Sequence, residues 1–350
     1  MNSAFVSAPE EDIVVSTRVR LARNYEDIPF STKMTSADAQ ETVRRAATQI
    51  ASSSQASAFR LVYVSSLSDA ERKRLVERRL ISYDLLKYAD RAAALISSGE
   101  TISIMINEDD HLRIQGILPG QQLEKAASLA FGADDLLCRN QPIAFDAKWG
   151  YLTACPTNAG TGMRASVTMH LPALTNARKM GPTVQAVGKL GFTLRGVYGE
   201  DVEADGNLYQ LSNHVTMGRS EEDVLKSLAA VAAQVAEQER EERKAFVEQD
   251  ADAFADKMMR SVGILLNARL LDEKEFMRLY SDIRYASGVG LLDAPIAGID
   301  ALMRDVQPAS LSVLAGEALS DRDRQLLRAS EARSKLTQLI DGNENNPMNG

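Results

Sequence analysis

A lone thiol, a glycine-containing loop and an arginine stand within ten residues in Cys155-Pro-Thr-Asn-Ala-Gly-Thr-Gly-Met-Arg164. Further arginines fall in three short stretches, Ser16-Thr-Arg18-Val-Arg20, Asn107-Glu-Asp-Asp-His-Leu-Arg113 and Arg195-Gly-Val-Tyr-Gly-Glu200. Arginine suits phosphate because its planar fork makes bidentate, charge-assisted hydrogen bonds, and several arginines suit a polyphosphate. Phosphoryl transfer asks a protein mainly for positioning and for neutralisation of charge on the transferring oxygens, usually with magnesium. The acidic cluster Glu108-Asp109-Asp110 suits the opposite partner. Carboxylates orient a cation and, where that cation is a guanidinium, take its proton as nitrogen attacks phosphorus. Cys155 then reads as a polar or thiolate neighbour of the guanidinium, against the plainer reading of a small buried side chain.

These groups need elements to aim them. Side chains two apart on a strand share a face, so Arg18 and Arg20 project together. Alone they would read as surface salt bridges; beside the other arginines they read as half of a phosphate grip. The same parity gives Arg164, Ser166, Thr168 and His170 a usable face and Ala165, Val167, Met169 and Leu171 a buried one. Apolar and β-branched runs predict strands over 13–20, 59–64, 101–107, 113–118, 164–171 and 192–198, with helices over 36–52, 69–81, 120–131 and 183–190. After residue 217 strand-like runs largely disappear, and helices are expected over 251–271, 272–286, 296–305 and 321–340. The charged run from Glu237 to Lys244 reads as a solvated helix face.

The chain has 350 residues, 45% of them hydrophobic and 25% charged, the composition of a globular protein with one large core and a smaller domain. Its formal net charge of -8 argues against nonspecific nucleic-acid binding. No apolar run suggests a membrane span and no signal peptide is evident, which implies a cytoplasmic protein. Cys138 and Cys155 have no metal spacing and read as free thiols, and three histidines leave little for a zinc site, so no protein metal site is expected. Phosphate-binding loops of the Gly-x4-Gly-Lys type and the protein-kinase His-Arg-Asp and Asp-Phe-Gly motifs are missing from the sequence.

Four ordered motifs carry a resemblance: Ser16-Thr-Arg-Val-Arg20, Ile104-Met-Ile-Asn-Glu-Asp-Asp-His-Leu-Arg-Ile-Gln115, Cys155-Pro-Thr-Asn-Ala-Gly-Thr-Gly-Met-Arg-Ala-Ser166, and Arg195-Gly-Val-Tyr-Gly-Glu200 followed by Gly206-Asn-Leu-Tyr-Gln-Leu-Ser-Asn213. They resemble the ATP:guanido phosphotransferases and, within them, the bacterial protein-arginine kinases of McsB type. Phosphagen kinases carry a helical domain ahead of the catalytic part, whereas here the first arginine motif begins at Ser16 and helices follow it, which favours the protein-arginine branch. The resemblance implies an α+β, glutamine-synthetase-like catalytic domain, a curved antiparallel sheet flanked by helices, followed by an all-helical domain. The expected division is 1–12 tail, 13–220 catalytic domain, 221–342 helical domain and 343–350 flexible tail.

The resemblance also implies roles. ATP with Mg2+, the metal held mainly by the nucleotide phosphates, would meet Arg18, Arg20, Arg113, Arg164 and Arg195. The nucleotide-contacting segments would be Ser16, Thr17, Arg18, Val19 and Arg20; Arg164, Ala165, Ser166, Val167 and Thr168; and Arg195, Gly196, Val197, Tyr198, Gly199 and Glu200. Asp109 and Asp110 would grip the target guanidinium beside Cys155, with Glu200 in a closing loop. Partners would be proteins with exposed arginine, a second copy in a homodimer, and an activator protein; nucleic acid and membrane are not expected. Three positions depart from the family pattern. Asp109 stands where the family has its proposed base, Glu, and is one methylene shorter. Arg79 stands where a nucleotide-side His is usual, and could meet phosphate or stack on adenine. Gln325 replaces the Asp of the phosphoarginine-docking pattern in Arg324-Gln-Leu-Leu-Arg-Ala329, leaving Arg324 and Arg328 as the docking candidates. Two other functions follow from those departures and from the arginine grip: a catalytically weak phosphoarginine- or nucleotide-binding adaptor, and a kinase of free arginine or another small guanidino compound.

Overall fold

The computed structural model describes residues 7–197 and 204–342. Its strands are β1 (Val14–Arg23), β2 (Phe59–Tyr63), β3 (Ala93–Ser97), β4 (Ile102–Ile106), β5 (Leu112–Pro119), β6 (Phe145–Asp146), β7 (Gly150–Tyr151), β8 (Met163–His170), β9 (Phe192–Gly196) and β10 (Leu208–Asn213). Its helices are α1 (Ser36–Ala51), α2 (Asp69–Glu77), α3 (Leu123–Cys138), α4 (Pro172–Asn176), α5 (Met180–Lys189), α6 (Glu221–Gln249), α7 (Ala251–Asn267), α8 (Glu273–Gly288), α9 (Ile296–Asp305), α10 (Pro308–Ala315) and α11 (Asp321–Asp341). Eight strands make one antiparallel sheet in the order β2-β3-β4-β5-β1-β8-β10-β9, and β6 with β7 forms a separate hairpin. The expected α+β architecture, a sheet flanked by helices with a helical region after it, is the one observed.

Period-two alternation decides what each face of this sheet does. Val19, Leu21, Ile114, Ala165, Val167, Leu194 and Leu211 point to one side, where Val43 of α1, Ala126 and Ala130 of α3, Val187 of α5 and Leu228 and Val231 of α6 complete a single apolar cluster. The opposite face has three zones. A second cluster, built from Val62, Leu75, Leu80, Leu85, Ala94 and Met105, covers the β2-β3-β4 end. A third, built from α7 to α11 with Ala173 and Leu208, covers the other end. Polar strand residues lie between.

Two strands of the large sheet, and the short β6-β7 hairpin, escaped the sequence reading. β3, Ala-Ala-Leu-Ile-Ser, is short and half alanine, a poor strand former, and becomes a strand because β2 and β4 pair with both its edges. β10 pairs with β8 and β9. Helix α3 starts later and runs further than expected, from Leu123 to Cys138.

Helix α6 bears on two further expectations. Its first half, through Val224, Leu228, Val231, Val235 and Ala236, belongs to the same cluster as the sheet, so we place the division between the two parts of the chain at Asp250. Its charged run is solvated on one side, at Glu237, Gln238, Glu241 and Lys244, but Glu239 and Arg243 on the other side form a buried interlock. Glu239, fully buried, accepts from the N–H groups of Ala173 (3.0 Å) and Leu174 (2.9 Å) at the start of α4. Arg243 donates to Glu239 Oε1 (2.8 Å), His170 O (3.1 Å) and Asp12 O (3.1 Å). Arg240 pairs with Asp12 and Glu10. Arg284 of α8 holds Asp300 (2.9 Å) and the carbonyls of Asp12 (3.0 Å) and Glu11 (2.7 Å). Residues 10–12, part of the expected 1–12 tail, are therefore tied into the join of the two parts. His170, expected on the usable face, is buried against α8 with Nε2 2.8 Å from Ser281 Oγ.

A buried charge persists only when paired, and removing one partner strands the other in a medium that cannot solvate it. Glu239→Ala strands Arg243 and uncaps α4, so urea unfolding should show a loss of about 3–5 kcal/mol.

Candidate active site

Antiparallel register collects the arginines. Arg20 lies across from Gln115 on β5 and from Arg164 on β8, and Arg18 lies across from Ser166. Arg113 pairs with Ala22, Thr168 with Gln210, and Gln210 with Arg195 on β9. Because directly paired residues share a face, Arg113, Arg20, Arg18, Arg164 and Arg195 form one band across five strands, β5-β1-β8-β10-β9. Ser16, Ser166, Thr168, Gln210 and Ser212 fill the spaces between them. Arg79 enters from above the sheet. It is the second residue after α2, in the left-handed region at φ +59°, and its Nη1 donates to Thr168 Oγ1 at 2.8 Å.

The alternation that builds this band removes some expected contacts. Val19, Ala165 and Val167 lie in the apolar core on the far face. Thr17 is buried with them and donates to Gly120 O at 2.6 Å. Gly196 lies across from Tyr209, and the N–H of Val197 donates to Leu208 O at 3.0 Å. Tyr198, Gly199 and Glu200 lie outside the described residues.

Like charges so close oppose one another. Burial, then repulsion from Arg20, Arg79 and Arg164, brings the Arg18 guanidinium down to about 9. Burial and Arg113 bring Arg20 down to about 10, with Glu108 working the other way. Arg164 is lowered by burial, Arg195 and Arg113. A polyanion laid across the band would relieve this repulsion, so the arrangement fits a nucleotide's phosphate chain.

The acidic loop divides into buried support and an exposed edge. Asn107 takes the left-handed conformation at φ +64° that turns β4 into β5, and its amide donates to Ala39 O and Arg91 O, both at 2.9 Å. Glu108 is fully buried, paired with Arg113 and bonded by Ser82. Asp110 is also fully buried. Its Oδ1 accepts from Asn24 Nδ2 and the N–H of Ala154, each at 2.8 Å, while Oδ2 faces Arg113 Nε at 3.5 Å. Asp109 differs: its side chain is 44% exposed, 3.3 Å from Arg113 Nη2.

Asp110 thus ties the acidic loop to the Cys155 loop. Cys155 Sγ lies 3.0 Å from Thr157 Oγ1 and is close enough to Arg164 to counter part of its repulsion. Two groups that the sequence reading missed hold this loop. Asn24 bonds Asp110, Leu152 O (3.0 Å) and the N–H of His111 (2.9 Å). Arg23 pairs with Asp134 at 2.8 Å, donates to Thr161 O at 3.2 Å and sits 3.5 Å over the Tyr151 ring. Arg23 is the first β1 arginine on the core face, an odd position among apolar residues that was its only signal. Gly162 is needed here: a Cβ would meet Arg23 Nη1 at 2.7 Å and Ala22 O at 2.8 Å, and φ is +62°. Among the described residues no cluster of three or more His, Cys, Asp or Glu could hold a metal ion, and no helix is long and apolar enough to cross a membrane.

A family model described as ATP:guanido phosphotransferase, C-terminal catalytic domain, matches residues 39–242. A second, described as Protein-arginine kinase McsB C-terminal domain, matches residues 251–347. The chain belongs to the ATP:guanido phosphotransferase family. Proteins named protein-arginine kinase are similar over nearly its whole length: that of Moorella thermoacetica is 42% identical over 94% of this chain and 95% of its own, and that of Caldanaerobacter subterraneus subsp. tengcongensis 39% over 94% and 98%. Solved structures extend the likeness to small-molecule kinases of the family. A lombricine kinase is 25% identical with a TM-score of 0.58, covering 68% of this chain and 69% of that one. A duplicated taurocyamine kinase from Schistosoma mansoni, solved with transition-state analogue components, has a TM-score of 0.57 at 25% identity, and the match covers 67% of this chain and 34% of that chain.

The docking candidates separate in space. Arg324 lines a groove of about 710 Å³ between α2 and α10 with Glu77, Ser312 and Leu319. Arg328 does not; it is buried and donates to Val306 O and Leu271 O, both at 3.1 Å.

A cation whose pKa is lower folded than unfolded destabilises the fold while it is charged in both states, and that penalty fades as pH rises through the folded value. Arg18→Met should therefore be more stable than the native chain at pH 7, an advantage that shrinks as pH passes about 9. ATP at a hundred times its Kd should stabilise the native chain by about 2.7 kcal/mol and the variant by less, as read from urea midpoints.

Proposed function

We propose that this chain is an ATP-dependent protein-arginine kinase in which the arginine band holds the triphosphate and Asp109 activates the acceptor. The observation that carries the assignment of roles is the contrast within the acidic loop: of three adjacent carboxylates, two are buried in fixed pairs and Asp109 alone opens to solvent beside an arginine of the band. A neutral or deprotonating guanidinium nitrogen is the nucleophile that the reaction requires, and a guanidinium is otherwise a very poor one.

The steps follow from position. Arg18, Arg20, Arg164 and Arg195 spread over the phosphates, and Arg113 spans the gap between that band and Asp109. The acceptor guanidinium lies between Asp109 and Cys155. Its nitrogen attacks the γ-phosphorus in line; the P–N bond forms as the bond from phosphorus to the β,γ-bridging oxygen breaks, ADP leaves, and the nitrogen's proton passes to Asp109. The arginines neutralise charge as it develops on the transferring oxygens. Asp110 acts by position, through Asn24 and the N–H of Ala154. Magnesium would arrive with the nucleotide's own phosphates, since the described carboxylates form no cage for it; it would supply further neutralisation there.

The choice of protein over small guanidino acceptors rests on residues 251–347, matched by the protein-arginine kinase C-terminal domain, and on the 39–42% identity to proteins of that name against 25% to the small-molecule kinases. The groove beside Arg324 is the place for phosphoarginine docking in this reading. A cytoplasmic setting, with Cys138 and Cys155 as the free thiols seen here, and assembly as a homodimer complete it.

Incubation with ATP-Mg and an arginine-rich unfolded protein, followed by mass spectrometry under non-acidic conditions, should yield phosphoarginine. Asp109→Asn should lower kcat by about 10²–10⁴ with ATP affinity retained, the range for loss of a positioned base. Phosphorylation of free arginine at a substantial rate, with none on protein, would overturn the protein-kinase reading.

A further inference from the structure

Glu77 is the last residue of α2, in the catalytic part, yet its carboxylate closes the start of α10 in the helical part. It accepts from the N–H of Ala309 (2.6 Å), the N–H of Ser310 (2.8 Å) and Ser310 Oγ (2.9 Å). Helix α10 has no cap of its own: Gln307 at the N-cap makes no capping bond, its amide donating instead to Met303 O at 3.0 Å, and Pro308 brings no N–H. The first free N–H groups of a helix need an acceptor and favour an anion, and Glu77 fills both needs from another part of the chain. Two residues later comes Arg79, the arginine that reaches the phosphate band from above.

Arg79 needs outside support. A non-glycine residue in the left-handed region pays a steric penalty and persists only where its surroundings hold it. On the sheet side Gln115 Nε2 donates to Arg79 O (3.0 Å) and Leu80 O (2.9 Å), and Thr168 Oγ1 accepts from the guanidinium. On the helix side Arg79 N–H bonds Val76 O (2.8 Å), so the last turn of α2 is its other mooring. That turn ends in Glu77, and Glu77 is fastened to α10. Arg78, between them, is held to Glu100 at 2.5 Å.

We propose that Glu77 is a positioning residue for the nucleotide site, setting the place of Arg79 over the phosphates from an anchor in the helical domain. The proposal rests on the reading of the arginine band as the ATP site. It makes the helical domain part of the nucleotide site without any of its residues touching the nucleotide: the contact between α2 and α10 joins the covers at the two ends of the sheet face, and Arg79 hangs from that join.

The test measures KM for ATP and kcat with an unfolded protein acceptor, and ATP affinity directly by calorimetry, for Glu77→Ala, Glu77→Gln, Arg79→Ala and the double variant Glu77→Ala/Arg79→Ala. Glu77→Ala should raise KM and Kd for ATP about tenfold, the size of one charge-assisted hydrogen bond, with kcat changed by less than about twofold. Glu77→Gln, whose amide oxygen still accepts, should stay nearer the native chain. Glu77→Ala should add nothing in the Arg79→Ala background, because both changes remove the same contact. Effects that multiply in the double variant, or a fall in kcat with ATP affinity untouched, would overturn the proposal. Should Glu77→Ala fail to fold, Glu77→Gln and Ser310→Ala carry the same comparison, and native ATP affinity in both overturns it. If the native chain binds ATP but phosphorylates no protein, the functional reading fails while the calorimetric arm still decides the role of Glu77.

Discussion

Guanidinium groups packed side by side on a sheet repel one another, and the rest of this molecule is arranged around keeping them there. Burial and mutual repulsion lower Arg18, Arg20 and Arg164 together. A surface built this way stores a preference for a polyanion before any arrives, which is the preorganisation that phosphoryl transfer uses. Arg113, Arg18, Arg20 and Arg164 stand on β5, β1 and β8, interior strands buried on the other face by a single apolar cluster, while Arg195 stands on the edge strand β9.

The acidic loop solves the opposite problem, how to keep one carboxylate available among several cations. Glu108 and Asp110 are consumed by Arg113, Ser82, Asn24 and the backbone of Ala154, and that consumption is what leaves Asp109 directed outward. Asp110 also couples the acidic loop to the Cys155 loop, so Asp109 and Cys155 share a foundation. The shorter Asp109 sits on a loop held at both ends, by the left-handed Asn107 and by His111, whose ring nitrogens meet Tyr25 N–H and Pro29 O.

The two parts of the chain are joined by buried charge as much as by apolar contact. Glu239, Arg243, Arg284, Asp300 and the backbone of residues 11–12 form a network in which each ion is paired. Such networks add less stability than apolar packing of the same volume, but they tolerate one arrangement and penalise others, because any slip leaves a charge unpaired. Residues 10–12 lead directly into β1, so the network that seats the helical domain also seats the strand carrying Arg18 and Arg20.

Local pattern by itself determined the chemistry of this protein. Strand parity put Arg18 with Arg20 and Arg164 with Ser166 and Thr168, the motifs around Asp109 and Cys155 pointed to a guanidino acceptor, and the helical texture of the second half was plain from its periodicity. These are properties of neighbours in the chain, and physics acts on them locally. Tertiary structure alone decided which groups are free. Glu108, Asp109 and Asp110 are nearly alike as residue types, and only pairing partners from distant segments make two of them buried supports and leave one exposed. Glu239 and Arg243 of α6 look solvated along the helix and are buried because α4, His170 and Asp12 fold onto them, while Glu237, Glu241 and Lys244 beside them stay exposed. β3 is a strand because strands on both sides require it. Arg328, within the motif that suggested docking, is buried against distant carbonyls, while Arg324, one turn away, lines the groove. Burial and pairing depend on what comes into contact from far along the chain, and a sequence read window by window does not contain that information.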